Sequence, residues 1–179
     1  MAKVIIVLVI LVVVAVAVVV MLAAGKPNVF RIERSVSIKA TPDKISPYIA
    51  NFHQWTLWSP FEKLDPTMKR TFGGSIEGKG ALYAWEGNSK AGAGSMEIVE
   101  ATPRAITIEL NFSKPMKAQN ITEITFTPSG DSTNVTWAMH GNSSYVAKIF
   151  HVFINMDKMV GTSFQEGLAK LKEVAEKKQ

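Results

Sequence analysis

The sequence has no cysteine and only 3 histidines, and these shortages remove several kinds of chemistry. Without cysteine the chain forms no disulfide, uses no thiol nucleophile and offers no thiolate to a metal. His53, His140 and His151 fall on separate predicted elements, so their spacing supports neither a metal site nor a Ser/His/Asp arrangement. We therefore expect neither a metal nor another cofactor.

Motifs for nucleic acids and for nucleotide phosphates are also missing. The net charge is +5, but the Lys and Arg residues are scattered rather than interleaved with aromatic residues, so we expect no nucleic-acid partner. The segment Gly73–Gly80 comes near to a phosphate-binding loop. However, Gly80 replaces the required Ser or Thr, and a strand pattern follows where that loop needs a helix. We expect a hairpin turn there instead.

One uninterrupted hydrophobic run occupies the N-terminus. All residues from Val4 to Ala24 are Ala, Val, Ile, Leu or Met, and as a helix they would extend roughly 31 Å, about the thickness of a hydrocarbon core. The apolar region of a signal peptide is shorter, about 7–15 residues, so we favour an uncleaved membrane anchor formed by residues 1–25. Ala23-Ala24-Gly25 also resembles a cleavage site, so a signal peptide stays possible as the alternative. We expect a single-pass protein of a bacterial inner membrane, with residues 4–24 in contact with lipid.

The side of the membrane that holds the rest of the chain is not decided by the charges. Lys3 precedes the hydrophobic run, whereas Lys26, Arg31 and Arg34 follow it. This distribution weakly favours a cytoplasmic domain. An N-terminal anchor of this simple form, however, often leads to export of the chain that follows, so both orientations stay open.

Residues 26–28 form a short linker, and residues 29–179 are predicted to form one domain rich in strands. Apolar and polar residues alternate from Val29 to Ile38 with the period of a strand. Further alternating segments follow, separated by Gly, Pro, Asn and Asp turn residues: Met68–Phe72, Ala81–Glu86, Gly94–Glu100, Ala105–Phe112, Ala118–Thr127 and Thr133–His140. Strands joined by short turns in this way predict a curved antiparallel sheet.

Two short helices are predicted between the first two strands. Thr41-Pro42-Asp43 begins the first, with a hydroxyl cap and a proline in the first turn. Pro47 should kink or restart this helix, because proline has no N–H to donate. Residues 51–61 form a second short helix or turn that carries two tryptophans.

A longer helical pattern ends the chain. From Tyr145 to Lys177, apolar residues recur at steps of three and four and form one stripe, which the sheet would bury. An unbroken helix of this length would overhang a domain of this size. We therefore expect a break near Asn155–Asp157 or at Gly161, followed by a long helix from about Met156 to Glu176.

Asp157 conflicts with this stripe, because it points along the apolar face. A buried carboxylate costs several kcal/mol unless it is paired, protonated or solvated, and its pKa would be raised, as suits a general acid or base. Alternatively, Asp157 or Asn155 caps the helix at the expected break, or Asp157 pairs with a Trp N–H or an Arg. The sequence leaves the catalytic and the structural roles open.

Several local motifs stand on the predicted elements of residues 29–176. They are Trp55-x-x-Trp58-Ser59-Pro60-Phe61-Glu62, Gly80-Ala81-x-Tyr83-x-Trp85-x-Gly87-Asn88, Asn134-Val135-Thr136-Trp137, and Met156-Asp157-x-x-Val160-Gly161 with Gly167-Leu168-x-x-Leu171-Lys172. These motifs and the order of elements resemble the START and birch-pollen-allergen (SRPBCC) superfamily, and within it the bacterial polyketide cyclase/dehydrase type. The resemblance implies an α+β helix-grip fold, in which a seven-stranded antiparallel curved sheet surrounds a long C-terminal helix. It also implies a cavity for an apolar small molecule between the sheet and that helix.

We expect this cavity to be lined by Trp58, Tyr83, Trp85, Met96, Ile108, Phe112, Met139, Phe153 and Asp157. The tryptophans have an alternative role in core packing, with each indole N–H bonded to a backbone carbonyl. The leading hypothesis is a membrane-anchored protein that binds a hydrophobic small molecule or lipid. The alternative is a cyclase- or dehydrase-like enzyme that uses Asp157, with Tyr83 as its partner. A filled scaffold without a cavity is a third hypothesis. With one inward acid and no inward His, binding is favoured over catalysis.

Overall fold

A seven-stranded antiparallel sheet forms the body of the domain in the computed structural model, which describes residues 2–177. The strands are β1 (Val29–Ile38), β2 (Lys69–Gly74), β3 (Ala81–Glu86), β4 (Ala93–Ala101), β5 (Ala105–Lys114), β6 (Ala118–Ser129) and β7 (Ser132–Asn142). Their spatial order is β1-β7-β6-β5-β4-β3-β2, so β1 and β2 form the two edges. The predicted strands are confirmed, with ends that differ by no more than two residues.

The helices complete an α+β helix-grip fold, as predicted. They are α1 (Ala2–Ala24), α2 (Pro42–Ala50), α3 (Tyr145–Phe153) and α4 (Met156–Glu176), with two 3₁₀ helices, Phe52–Leu57 and Pro60–Lys63, between α2 and β2. A restart of the helix at Pro47 is wrong, since α2 continues through this residue. A helix this short loses only one backbone hydrogen bond to the missing N–H, and its apolar face is held by the core.

The near match to a phosphate loop is a hairpin turn, as predicted. β2 ends at Gly74 and β3 begins at Ala81. The φ angles of Gly74, Gly78 and Gly80 are 65°, 70° and 85°. Glycine adopts this left-handed region without a steric penalty, so the glycines of this segment serve the turn.

The C-terminal stripe is divided into two helices at Ile154 and Asn155. Both residues have extended backbone conformations. The Asn155 side chain accepts a hydrogen bond from the backbone N–H of Lys158 at 2.9 Å and thereby caps α4. The break therefore agrees with the first predicted place, near Asn155–Asp157, and not with Gly161, through which α4 continues. Because the chain changes direction there, α3 and α4 present their apolar faces to different surroundings.

α4 packs along the edge strand β1 and covers one side of the sheet. Its inward residues Phe164 and Leu168 are buried in a single core with the concave face of the sheet. The rings of Trp137 and Phe164 are stacked, with centroids 4.2 Å apart and planes inclined by 8°. Gly167 permits this close approach, because a Cβ atom there would lie 2.8 Å from the Trp137 ring and 2.9 Å from Pro60.

α1 is long and apolar enough to cross a membrane, and it is the only such helix in the described part of the chain, residues 2–177. Most of its side chains are exposed. Near its C-terminal end α1 packs against α3, and Ala23 is fully buried. The Tyr145 hydroxyl donates a hydrogen bond to the Val20 carbonyl oxygen at 3.1 Å. The start of α3 therefore lies beside the last turns of α1.

Candidate functional site

Five of the residues predicted to line a cavity are buried in one core on the concave face of the sheet: Trp58, Tyr83, Met96, Ile108 and Met139. The Trp58 indole N–H donates a hydrogen bond to the Tyr48 carbonyl oxygen at 2.8 Å. The Trp55 indole N–H donates to the Ile49 carbonyl oxygen at 3.0 Å. These bonds agree with the packing role that the sequence leaves open for both tryptophans. The protein's own side chains thus fill this part of the interior, where the sequence predicts a ligand.

Trp85 and Phe112 extend the aromatic lining from the core toward one end of the sheet. The rings of Tyr83 and Trp85 are nearly parallel, with centroids 6.1 Å apart, and the rings of Trp85 and Phe112 meet edge to face at 5.7 Å. The Trp85 indole N–H donates to the Ala91 carbonyl oxygen at 3.0 Å, which fixes its orientation. Trp85 and Phe112 are only half-buried, so this lining reaches the surface.

An open cleft of about 600 Å³ lies at this end of the sheet. Its walls come from the β5–β6 hairpin and from the segment between β7 and α3, and they include Phe112, Ala118, Gln119, Asn142, Ser143 and Ser144. Ser144 caps α3 by accepting a hydrogen bond from the Ala147 N–H at 3.2 Å. The Ser143 N–H donates to the carbonyl oxygen of Asn28, in the linker after α1, at 2.8 Å. The cleft therefore adjoins both α3 and the linker.

Two other kinds of site receive less support. A second open pocket, of about 200 Å³, lies at the edge strand β2 beside the stacked rings of His53 and Phe72. It is smaller than the roughly 300–1,000 Å³ of most ligand pockets. Within residues 2–177, no three His, Asp or Glu side chains are grouped so as to hold a metal ion.

A buried polar cluster of Glu62, Arg70 and Tyr83 was not predicted from the sequence. The Glu62 carboxylate accepts hydrogen bonds from Arg70 Nε and from the Tyr83 hydroxyl, each at 2.7 Å, and the Glu62 side chain is only 6% exposed. Burial, together with the hydrogen bond to Glu62, raises the pKa of Tyr83, so its hydroxyl keeps its proton. Both carboxylate oxygens have donors, and the cluster ties β2 and β3 to the 3₁₀ helix Pro60–Lys63.

Asp157 is exposed and paired. It lies on the same face of α4 as Gly161 and Phe164, as predicted, but its side chain is 64% exposed because α4 begins at the edge strand β1. The Arg34 guanidinium donates hydrogen bonds to both carboxylate oxygens, each at 3.0 Å. These bonds lower the pKa of the Asp157 carboxyl. Asp157 is therefore ionised near neutral pH and is a poor proton donor.

Phe153 lies outside the interior in which the sequence places it. It stands on α3, and its side chain is 70% exposed. The extended residues Ile154 and Asn155 prevent α3 from continuing the buried face of α4. A single stripe from Tyr145 to Lys177 places Phe153 in the cavity only if α3 and α4 form one continuous helix.

Comparisons with known proteins agree with this fold. The family model for polyketide cyclase / dehydrase and lipid transport matches residues 29–176. Protein CV1439 from Chromobacterium violaceum has a TM-score of 0.59 at 15% identity, covering 86% of this chain and 100% of that one. The di-domain ARO/CYC BexL from the BE-7585A biosynthetic pathway has a TM-score of 0.61 at 11% identity, and the match covers 89% of this chain and 54% of BexL. The Aha1 dimer from Colwellia psychrerythraea has a TM-score of 0.55 at 16% identity, and the match covers 82% of this chain and 96% of the Aha1 chain.

At these identities, the likeness to solved structures shows the shared fold alone. None of the curated proteins compared with the chain matches it significantly. The family model, however, extends from the start of β1 to the end of α4 and so covers the whole helix-grip domain. The chain therefore belongs to the polyketide cyclase/dehydrase and lipid transport family, of the SRPBCC type.

Proposed function

We propose that this protein is a membrane-anchored binding protein that holds a hydrophobic small molecule or lipid. Residues 1–25 are the anchor, residues 26–28 the linker and residues 29–179 the binding domain. The observation that carries the proposal is the position of the cleft beside α3 and the linker. A ligand in this cleft can pass between the bilayer and the domain along a short path, with little exposure to water.

The size and lining of the cleft suit a molecule with an apolar body and a polar end. Its volume of about 600 Å³ falls within the roughly 300–1,000 Å³ of most small-molecule sites. Phe112 supplies an aromatic surface that continues to Trp85. Asn142, Ser143 and Ser144 supply hydrogen-bonding groups at the mouth. The family's description, which includes lipid transport, supports the same class of ligand.

The linker supports uptake from the bilayer because it keeps the domain close to the membrane. A linker of three residues spans at most about 11 Å. The hydrogen bond from Ser143 to Asn28 further holds the cleft wall beside the end of α1. The domain thus has little freedom to move its cleft away from the lipid surface.

The alternative function, a cyclase- or dehydrase-like enzyme, receives less support from the positions of the Asp157 and Glu62 carboxylates than binding does. Asp157 is held ionised by Arg34 at the surface. Glu62 is buried, but Arg70 and Tyr83 already bind both of its oxygens. Neither residue combines access to the cleft with a free position on its carboxylate, as a general acid or base requires.

Native mass spectrometry of the full chain, released from its membrane in nanodiscs, tests the proposal. The wild-type protein should retain a hydrophobic molecule or lipid that is absent from empty nanodiscs. Ala118 lines the cleft and is exposed, so Ala118→Trp should fill the cleft without disturbing the core. This variant should lose most of the bound molecule.

The matched control is Thr125→Trp, on the outer face of the same strand β6. It adds the same side chain away from the cleft and should retain the ligand at the wild-type level. If the wild-type protein carries no molecule and takes up no apolar dye, the binding proposal fails. Equal retention by Ala118→Trp and Thr125→Trp would place the ligand elsewhere and contradict the proposed site.

A further inference from the structure

We propose that α3 is an interfacial membrane helix, whose apolar face inserts between the lipid head groups and the acyl chains beside α1. This face, here called the α3 apolar face, consists of Val146, Phe150 and Phe153. The proposal rests on the proposed role of α1 as a membrane anchor. It adds a second membrane contact, made by the folded domain itself.

The polarity of α3 is inverted with respect to a helix that faces water. The exposed fractions are 55% for Val146, 47% for Phe150 and 70% for Phe153, and these residues follow one another at steps of four and three on one side of the helix. On the opposite side Lys148 is only 7% exposed, and its ammonium donates a hydrogen bond to the Asn28 side chain at 2.5 Å. The folded domain therefore takes the polar side of α3 and leaves the aromatic side outward.

The position of His151 agrees with this orientation of α3, with its polar side toward the domain. Its ring meets the Phe30 ring of β1 edge to face, with centroids 6.5 Å apart. The polar residues of α3 thus contact the linker and β1, whereas its exposed surface is apolar. A contiguous apolar surface of this kind on a folded protein marks a contact with a membrane or with another protein.

The contact with α1 favours the membrane. The Tyr145 hydroxyl binds the Val20 carbonyl oxygen, and Val20 lies about 6 Å along the helix axis from Ala24 at the rise of an α-helix. Interfacial helices bury their apolar face about 5–10 Å into the boundary between head groups and acyl chains. If α1 spans the bilayer up to Ala24, α3 begins at this depth.

Exposed apolar and basic side chains adjoin the α3 apolar face along the chain. Ile154 and Met159 are exposed directly after α3 and in the first turn of α4. Lys26 and Lys158 are exposed nearby in the sequence, after α1 and beside Met159. Apolar groups with flanking lysines are the composition that binds the interface of a membrane with anionic lipids.

Site-directed spin labelling tests the inference directly, because the native chain has no cysteine. Single cysteines are introduced by Phe153→Cys on α3, by Val12→Cys in α1 and by Glu109→Cys on the exposed outer face of β5. The full chain is placed in nanodiscs of phosphatidylcholine and phosphatidylglycerol, one copy per disc. Nitroxide labels then report their relative accessibility to oxygen, which concentrates in lipid, and to a water-soluble nickel complex.

The label at position 153 should show an oxygen-to-nickel accessibility ratio several-fold above that of the label at position 109. Phe150→Cys should give the same result, so the conclusion does not depend on one variant. If the label at position 12 reports lipid and the labels at positions 150 and 153 report water, the inference on α3 is overturned while the anchor stands. If the label at position 12 also reports water, the anchor itself is wrong.

A second copy of the chain is the other candidate occupant of the α3 apolar face. Discs loaded with two copies distinguish it from lipid. Protection of position 153 from both reagents in these discs alone, with dipolar broadening between labels, would show an interface between copies and overturn the membrane assignment. A high oxygen-to-nickel ratio at position 153 that is the same in discs with one and two copies supports the lipid contact.

Discussion

The Arg34 guanidinium on β1 binds both carboxylate oxygens of Asp157 in the first turn of α4, each at 3.0 Å. The same guanidinium donates to the Asp157 backbone oxygen at 3.1 Å. Gly161 leaves the space for Arg34, because a Cβ atom at position 161 would contact the guanidinium. The pair therefore fixes the start of α4 on the edge strand β1 and gives Asp157 a structural role.

Asp157→Asn should weaken the attachment of α4 without affecting retention of an apolar ligand. The hydrogen bonds from Arg34 lower the pKa of the folded-state carboxyl below its ordinary value of 3.8. The carboxylate thus stabilises the fold at pH values above 3.8, and this contribution is lost as the pH falls through the lowered pKa. The thermal midpoint of Asp157→Asn should be below that of the wild type at neutral pH and should converge with it in acid.

The control for this prediction is Asp43→Asn, an acid in the first turn of α2. It removes the charge at a helix N-terminus in the same way, so it corrects for the effect of the helix dipole. A larger midpoint shift for Asp157→Asn than for Asp43→Asn isolates the Arg34 pair. Loss of ligand in Asp157→Asn with an intact fold would instead restore a functional role for this carboxyl.

The sheet and α4 could be predicted because their apolar residues recur at the regular spacing of a strand or of a helix. Alternation at period two identified each strand, and the glycines of Gly73–Gly80 identified a turn. The break before α4 followed from length alone. The exposure of Phe153 and Asp157 could not be predicted, because helical phase says which residues share a face and not what covers that face.

Glu62 was missed for a different reason. It lies in a 3₁₀ helix of only 4 residues, which is too short to show a hydrophobic period. Arg70 and Tyr83 did carry a signal, since both point to the concave side of neighbouring strands. Two polar groups on an otherwise apolar face indicate a third partner, and only the tertiary structure identifies it.

Glu62→Ala should be one of the most destabilising single substitutions in the domain. It would leave the Arg70 guanidinium and the Tyr83 hydroxyl without their acceptor in a largely buried place, at a cost of about 3 kcal/mol. Tyr83→Phe removes one donor and leaves the ion pair, so it should cost about 1–2 kcal/mol. Chemical denaturation of the two variants measures both values.

The control is Glu86→Ala, which breaks the exposed ion pair with Lys114 on the surface of the same sheet. This substitution should leave the denaturation midpoint nearly unchanged, because exposed pairs contribute little. The buried cluster would lose its structural role if Glu62→Ala were as stable as Glu86→Ala.

Gly167→Ala should loosen the contact between α4 and the sheet. The added methyl group would lie 2.8 Å from the Trp137 ring and 2.9 Å from Pro60, and such overpacking typically costs about 1–3 kcal/mol. Gln165→Ala, on the exposed side of the same helix, should change stability by less than about 0.5 kcal/mol. Equal stability of the two variants, measured by denaturation, would mean that α4 does not pack closely against the Trp137 ring at Gly167.

We propose that a hydrophobic molecule enters the cleft beside α3 from the bilayer. Photocrosslinking tests it most directly, with the full chain in nanodiscs that contain an apolar diazirine compound and with labelled peptides identified by mass spectrometry. We predict labelling of α1, of α3 and of the cleft segments 111–119 and 142–144, with the cleft labels lost in Ala118→Trp and kept in Thr125→Trp. Labelling confined to α1 and α3 in the wild-type protein would show that no molecule from the bilayer enters the cleft.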